Sequence, residues 1–258
     1  MHSKKYPWIL VGLLWVVALL NYMDRQMLST MKPSMMLDIA ELQTATNFGR
    51  LMAIFLWIYG IMSPFAGMIA DRVNRKWLIV GSLFVWSAVT LAMGYAESFT
   101  QLYWLRAVMG VSEALYIPAG LSLIADYHDS KSRSIAIGIH MTGLYIGQSL
   151  GGFGATIAAS FSWQATFQLF GFVGVGYALL LMILLKENRK KEEENAIEVP
   201  ENQIVNNFKS LFGNNAFSNN KRFVSLLEPV IFSCESSMVN CEFVLNFKFM
   251  ILVMSCEL

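Results

Sequence analysis

Six stretches of this chain, at about 8–28, 48–70, 77–96, 102–124, 134–159 and 165–185, are apolar almost throughout. A hydrocarbon core of roughly 30 Å is crossed by about 20 apolar helical residues. Backbone groups cannot stay unpaired in lipid, so stretches of this length must be helices. The loops between them are mostly short, which makes consecutive helices antiparallel neighbours. Only 14% of the residues are charged, against roughly 25% in an ordinary soluble domain. The fold class expected is an all-α membrane protein with six spans.

Basic residues flank the spans unequally. Lys4 and Lys5, then Arg72, Arg75 and Lys76, then Lys131 and Arg133, then Lys186, Arg189, Lys190 and Lys191 fall on one side. The other side has only Lys32 and Arg50. The positive-inside rule then makes the N-terminus and the segment after residue 185 cytoplasmic. The reading is a multi-pass protein of a cell (inner) membrane. A cleaved signal peptide is disfavoured, because Asn21-Tyr22-Met23-Asp24-Arg25 stands where a small-residue cleavage site belongs.

Other classes find little purchase. No Gly-rich phosphate loop and no basic run for nucleic acid is present. The three histidines are scattered, and Cys234, Cys241 and Cys256 form no CxxC pair, so no metal or cofactor is expected. No Ser/His/Asp set sits at the span ends, so the chain does not read as an enzyme.

Four ionisable residues lie inside the apolar segments: Asp24 and Arg25 in the first, Arg106 and Glu113 in the fourth. A charge at that depth costs several kcal/mol and calls for a partner and a task. Sidedness sets depth. Asp24, Arg25 and Arg106 each fall about one turn from the outer ends of their spans. Glu113 lies seven residues along from Arg106 on the same stripe, about 10 Å further in, with Gly110 between them expected to keep that stripe open. Equal depth pairs Asp24 with Arg106 and assigns Arg25 to an incoming anion. Two acids and two bases also make a purely structural network. The functional alternative is that an acid exchanges a proton, since desolvation favours a neutral carboxyl, while an arginine grips a carboxylate with its planar fork.

Asn21, Tyr22, Tyr116, Tyr145 and Gln148 are weaker candidates for bonds to substrate hydroxyls, with Tyr22 and Gln148 foremost. His140 reads as a packed neutral histidine. Trp57, Trp77, Trp86 and Trp104 read as interface anchors or lipid-facing bulk. Gly143, Gly147, Gly151, Gly152 and Gly154 give the fifth span small residues at the spacing that lets helices approach, or a hinge.

The loop after span two reads Gly67-Met-Ile-Ala-Asp71-Arg72-Val-Asn74-Arg75-Lys76. It resembles the cytoplasmic signature of the major facilitator superfamily, with Asn74 where glycine is usual; asparagine tolerates the positive φ such a turn is expected to need. Asn21-Tyr22-Met23-Asp24-Arg25-Gln26-Met27-Leu28-Ser29 resembles the first-span motif of that superfamily's anion:cation symporter family, which includes many sugar-acid carriers. Arg106, Gly110, Glu113 and Ala114, with Pro118 beyond, resemble the same family's fourth helix. In span five Gln148 replaces a common proline. These motifs cover about residues 7–190.

The resemblance implies the N-terminal six-helix half of a major facilitator fold, with the substrate site facing a second half near the midplane. It implies Arg25 as ligand of a substrate carboxylate, Asp24 and Glu113 as proton carriers, and Arg106 as partner of Asp24 in part of the cycle. Gly67, Asp71, Arg72 and Arg75 would gate the cytoplasmic side, with Asp126 as local partner of Arg75 or Arg72. The expected partners are a small organic anion, the lipid bilayer, and a second six-helix half. The coupling ion is a proton, with sodium as the alternative. A sugar phosphate as substrate, and a non-transporting six-helix fragment, are the competing readings.

Beyond residue 185 the pattern changes. Residues 1–185 read as the transmembrane half and 186–222 as a charged and polar linker. Residues 223–258 read as an aberrant tail, with two apolar runs too short to span and no glycine. That shift is expected of a truncated or frameshifted gene.

Overall fold

The computed structural model describes residues 5–186, except for the side chain of Asp71. The tail and all of the expected linker beyond Lys186, with the three cysteines, lie outside the described residues. Among the described residues the chain forms nine α-helices. They are α1 (Tyr6–Thr30), α2 (Lys32–Asp38), α3 (Ala45–Arg72), α4 (Arg75–Met93), α5 (Phe99–Ala114), α6 (Tyr116–Tyr127), α7 (Ser130–Gly151), α8 (Gly154–Ser160) and α9 (Trp163–Leu184). A 3-10 turn occupies Ala40–Gln43.

The six expected spans appear as α1, α3, α4, α5 with α6, α7 with α8, and α9. Span four breaks at Leu115 because Pro118 has no N–H to offer Ala114, four residues back, and its ring crowds that carbonyl. Leu115 N instead reaches Ser112 O at 3.3 Å. Five of the spans are long and apolar enough to cross a membrane. The exception, α7, has 22 residues but carries Lys131, Arg133, His140, Thr142 and Gln148.

Helix starts follow local chemistry. Asn74 caps α4, its side-chain oxygen accepting from Lys76 N at 3.0 Å and Trp77 N at 3.3 Å. Its φ is −53°, so the positive-φ turn expected at this position does not form. Asparagine is there as a cap. Ser98 and Ser162 cap α5 and α9 in the same way, through Gln101 N and Ala165 N.

Packing within the bundle is pairwise: α1 lies along α7, α4 along α9, and α3 along α5. Lipid tails are as apolar as leucine, so such pairs gain mainly from close backbone approach. On α7, a Cβ at Gly143 would lie 2.7 Å from Trp15 O, and one at Gly151 would lie 2.8 Å from Met23 O. Between them, a Cβ at Gly147 would strike the Leu19 carbonyl. The glycine stripe is therefore a seam for α1. Gly110 likewise admits the α3 backbone, with Phe55 O 2.9 Å from where its Cβ would be. It does not open the α5 stripe to solvent, as its position between Arg106 and Glu113 led us to expect.

Two polar clamps tie the ends. Asp38 Oδ2 accepts from Trp163 Nε1 at 2.7 Å and from Gln164 Nε2 at 2.8 Å, joining α2 to the start of α9. At the opposite end, Tyr6 Oη accepts from Lys186 N at 2.6 Å and Tyr127 Oη donates to Lys186 O at 2.9 Å.

Candidate functional site

Asn21, Asp24 and Arg25 of α1, Thr90 of α4, and Arg106 and Glu113 of α5 are all buried, and the two acids and two arginines among them form one electrostatically linked network. Successive residues on a helix point about 100° apart, so Asp24 and Arg25 reach different neighbours. Arg25 Nε donates to Glu113 Oε2 at 2.5 Å. Asp24 Oδ2 accepts from Thr90 Oγ1 at 3.3 Å. That hydroxyl also lies 3.0 Å from Trp86 O, and its single proton serves one acceptor at a time.

The sequence led us to expect Asp24 on Arg106, with Arg25 left for an anion. In the structure Arg25 is held by Glu113. Depth alone cannot assign partners, because the direction around the helix axis decides which neighbouring helix a side chain meets. Arg106 donates from Nη1 to Met109 Sδ at 3.2 Å, and its charge acts on both Asp24 and Glu113. The network thus holds two carboxylates and two guanidiniums.

Aromatic rings surround the cations. The Arg25 Cζ lies 4.9 Å from the Tyr22 ring centroid, 4.9 Å from Phe55 and 4.7 Å from Tyr59. Phe55 also lies 4.5 Å from the Arg106 Cζ. Phe55, Tyr59 and Thr90 escaped the sequence reading, since an aromatic or hydroxyl side chain in an apolar run carries no signal by itself. Their spacing on α3, four residues apart, is the one available hint, as it puts Phe55 and Tyr59 on one face.

The other candidates separate. Tyr22 joins the Arg25 enclosure. Tyr145 is exposed and Gln148 half-buried on α7, so neither belongs to the buried network. Tyr116 donates its hydroxyl to Leu14 O at 2.8 Å, a contact between helices. Its ring lies edge-on to Trp86 at 5.6 Å and tilted to His140 at 6.0 Å. Trp86 is fully buried, contrary to the lipid-facing place expected for it. Trp57, Trp77 and Trp104 are exposed.

Near the Lys186 end, Arg75 of α4 forms an ion pair with Asp126 of α6. Arg72 is exposed and Gly67 has open space around it. The side chain of Asp71 lies outside the described residues.

Comparison with known proteins decides what this bundle belongs to. A family model described as Major Facilitator Superfamily matches residues 14–255. The chain belongs to the major facilitator superfamily. The match runs past residue 190, beyond the stretch that the sequence motifs cover. Protein spinster homolog 1 of Homo sapiens is 29% identical over 198 residues, covering 74% of this chain and 37% of that protein. The hexuronate transporter of Bacillus subtilis is 29% identical over 202 residues, covering 78% of this chain and 46% of that protein. The probable L-galactonate transporter of Escherichia coli is 28% identical over 187 residues, covering 72% and 41%.

Among solved structures, an inward-facing and occupied bacterial homologue of the human lysosomal transporter spinster aligns with a TM-score of 0.62. It is 25% identical, covering 72% of this chain and 46% of that one. The chain spans less than half the length of these relatives. The described region is the N-terminal six-helix half of a major facilitator fold, in a multi-pass membrane protein of a family of transporters rather than enzymes.

Proposed function

We propose that this chain supplies the N-terminal half of a secondary carrier that moves a small organic anion, a sugar acid, in symport with a proton by alternating access. One observation carries the reading: the buried Arg25–Glu113 pair, with Asp24 and Arg106 beside it. The names of the Bacillus subtilis and Escherichia coli relatives, a hexuronate and an L-galactonate transporter, support the substrate class.

The chemistry follows from charge balance. Two carboxylates and two guanidiniums are neutral together, so a bound anion leaves one uncompensated negative charge in a low-dielectric site. A proton taken up by Glu113 or Asp24 cancels it, which couples anion to proton. Protonated Glu113 relaxes its hold on Arg25, whose planar fork then takes the substrate carboxylate. Tyr22, within the Arg25 enclosure, and Asn21 supply bonds to hydroxyls, and Tyr145 and Gln148 serve the face toward a second half. Gly67, Asp71, Arg72 and the Arg75–Asp126 pair gate the end bearing the N-terminus, which is cytoplasmic in an inner membrane.

The test is uptake of labelled hexuronate, driven by a pH gradient, into proteoliposomes. It uses the chain alone and the chain joined to the C-terminal half of the Bacillus subtilis relative. Uptake lost in Arg25→Lys, with insertion retained, supports the reading. Unchanged uptake in that variant refutes it, and no uptake from either parent form favours a non-transporting fragment.

A further inference from the structure

We infer that Phe55 is a positioning residue that holds the guanidiniums of Arg25 and Arg106 together on one aromatic ring. Phe55 is fully buried in α3, and its ring centroid is 4.9 Å from the Arg25 Cζ and 4.5 Å from the Arg106 Cζ. The placement is built into the backbone. Arg106, Gly110 and Glu113 share one stripe of α5. At Gly110 the absence of a Cβ brings the α3 backbone of Phe55 against that stripe. The ring is thereby delivered to the two turns of α5 between Arg106 and Glu113, the partner of Arg25.

The physical need is plain. Two like charges in a dry interior repel strongly, and each time Glu113 leaves Arg25 the repulsion rises. An aromatic ring presents a negative face to a cation and has no charge of its own to titrate or to compete for the anion. Phe55 therefore steadies both arginines through the step in which the carboxylate partner changes. Tyr59, 5.9 Å from Phe55 ring to ring, and Tyr22 complete the enclosure of Arg25. Phe55 lies against both arginines. Its effect on anion affinity rests on the reading of Arg25 as the anion ligand; its hold on the arginines does not.

The experiment replaces Phe55 in the full chain with mono-, di- and trifluorophenylalanine, which keep the ring's shape while draining its negative face. Side-chain Nε–H resonances of Arg25 and Arg106, assigned through Arg25→Lys and Arg106→Lys, report the hold directly. Hexuronate binding in nanodiscs reports its consequence. Both arginine resonances should move stepwise with fluorine number, and hexuronate affinity should fall stepwise, by roughly tenfold across the series. Resonances that stay put through the series overturn the inference, even if Phe55→Leu damages the fold, for Phe55 is then only filler. Resonances that move in a parent that binds no hexuronate uphold the inference and remove the anion reading instead.

Discussion

Exchanging Glu113 for glutamine tests whether the Arg25 pair is a competitor for the anion or a fixed strut. Arg25 Nε sits 2.5 Å from Glu113 Oε2, and the two side chains are 3% and 0% exposed. Breaking a buried pair by removing one partner costs about 3–5 kcal/mol, because the remaining charge is left uncompensated. Glutamine keeps an acceptor oxygen, so Glu113→Gln belongs near 3 kcal/mol and Glu113→Ala near the upper end. For a unit of this size each kcal/mol moves the melting midpoint by about 2–4 °C. The Gln variant should therefore melt roughly 6–12 °C below the parent in nanodiscs.

The diagnostic arm is the addition of a sugar acid. At about one hundred times its Kd a ligand adds some 2.7 kcal/mol. In the Gln variant the incoming carboxylate meets an arginine that Glu113 no longer holds as an anion, so its stabilisation should exceed that in the parent. Its dependence on pH should also weaken, with Asp24 left as the remaining proton acceptor. Equal stabilisation of parent and variant by the sugar acid, or a midpoint within 2 °C of the parent without it, would refute the exchange of partners on Arg25.

Four further changes probe the frame around the site. Gly147→Leu drives a side chain into the Leu19 carbonyl and should lower stability by at least the 1–3 kcal/mol of ordinary overpacking. Gly138→Leu, where nothing lies within 4 Å, should leave the melting midpoint unchanged. Asp38→Ala strands Trp163 Nε1 and Gln164 Nε2 and should cost about 1–3 kcal/mol. Hydrogen exchange should rise across residues 32–43, and protection equal to the parent's would show that the clamp is idle. Asp126→Asn weakens a partly exposed ion pair and should cost only about 1 kcal/mol. Gating by this pair nevertheless requires that maleimide labelling of a cysteine placed at Gly67 change in that variant.

The sequence by itself determined the spans, because lipid leaves a backbone of that length and apolarity one solution. It also determined the family, through motifs clustered at Asp24-Arg25, Arg106–Glu113 and Gly67–Lys76; the break before Pro118, inside a stretch that reads as one unbroken span, emerged only in the structure. A basic partner for Asp126 at the same end of the spans was legible too, with Arg75 and Arg72 both open until the structure chose Arg75. Only the tertiary structure decided which acid meets which base. Asp24 and Arg25 are adjacent in the chain yet a quarter-turn apart in space, so one meets Thr90 and the other Glu113. The enclosure of Arg25 by Tyr22, Phe55 and Tyr59 was hidden for the same reason. Depth is written along a helix, but azimuth exists only once the helices pack, and here glycines at 110, 143, 147 and 151 set how closely they do.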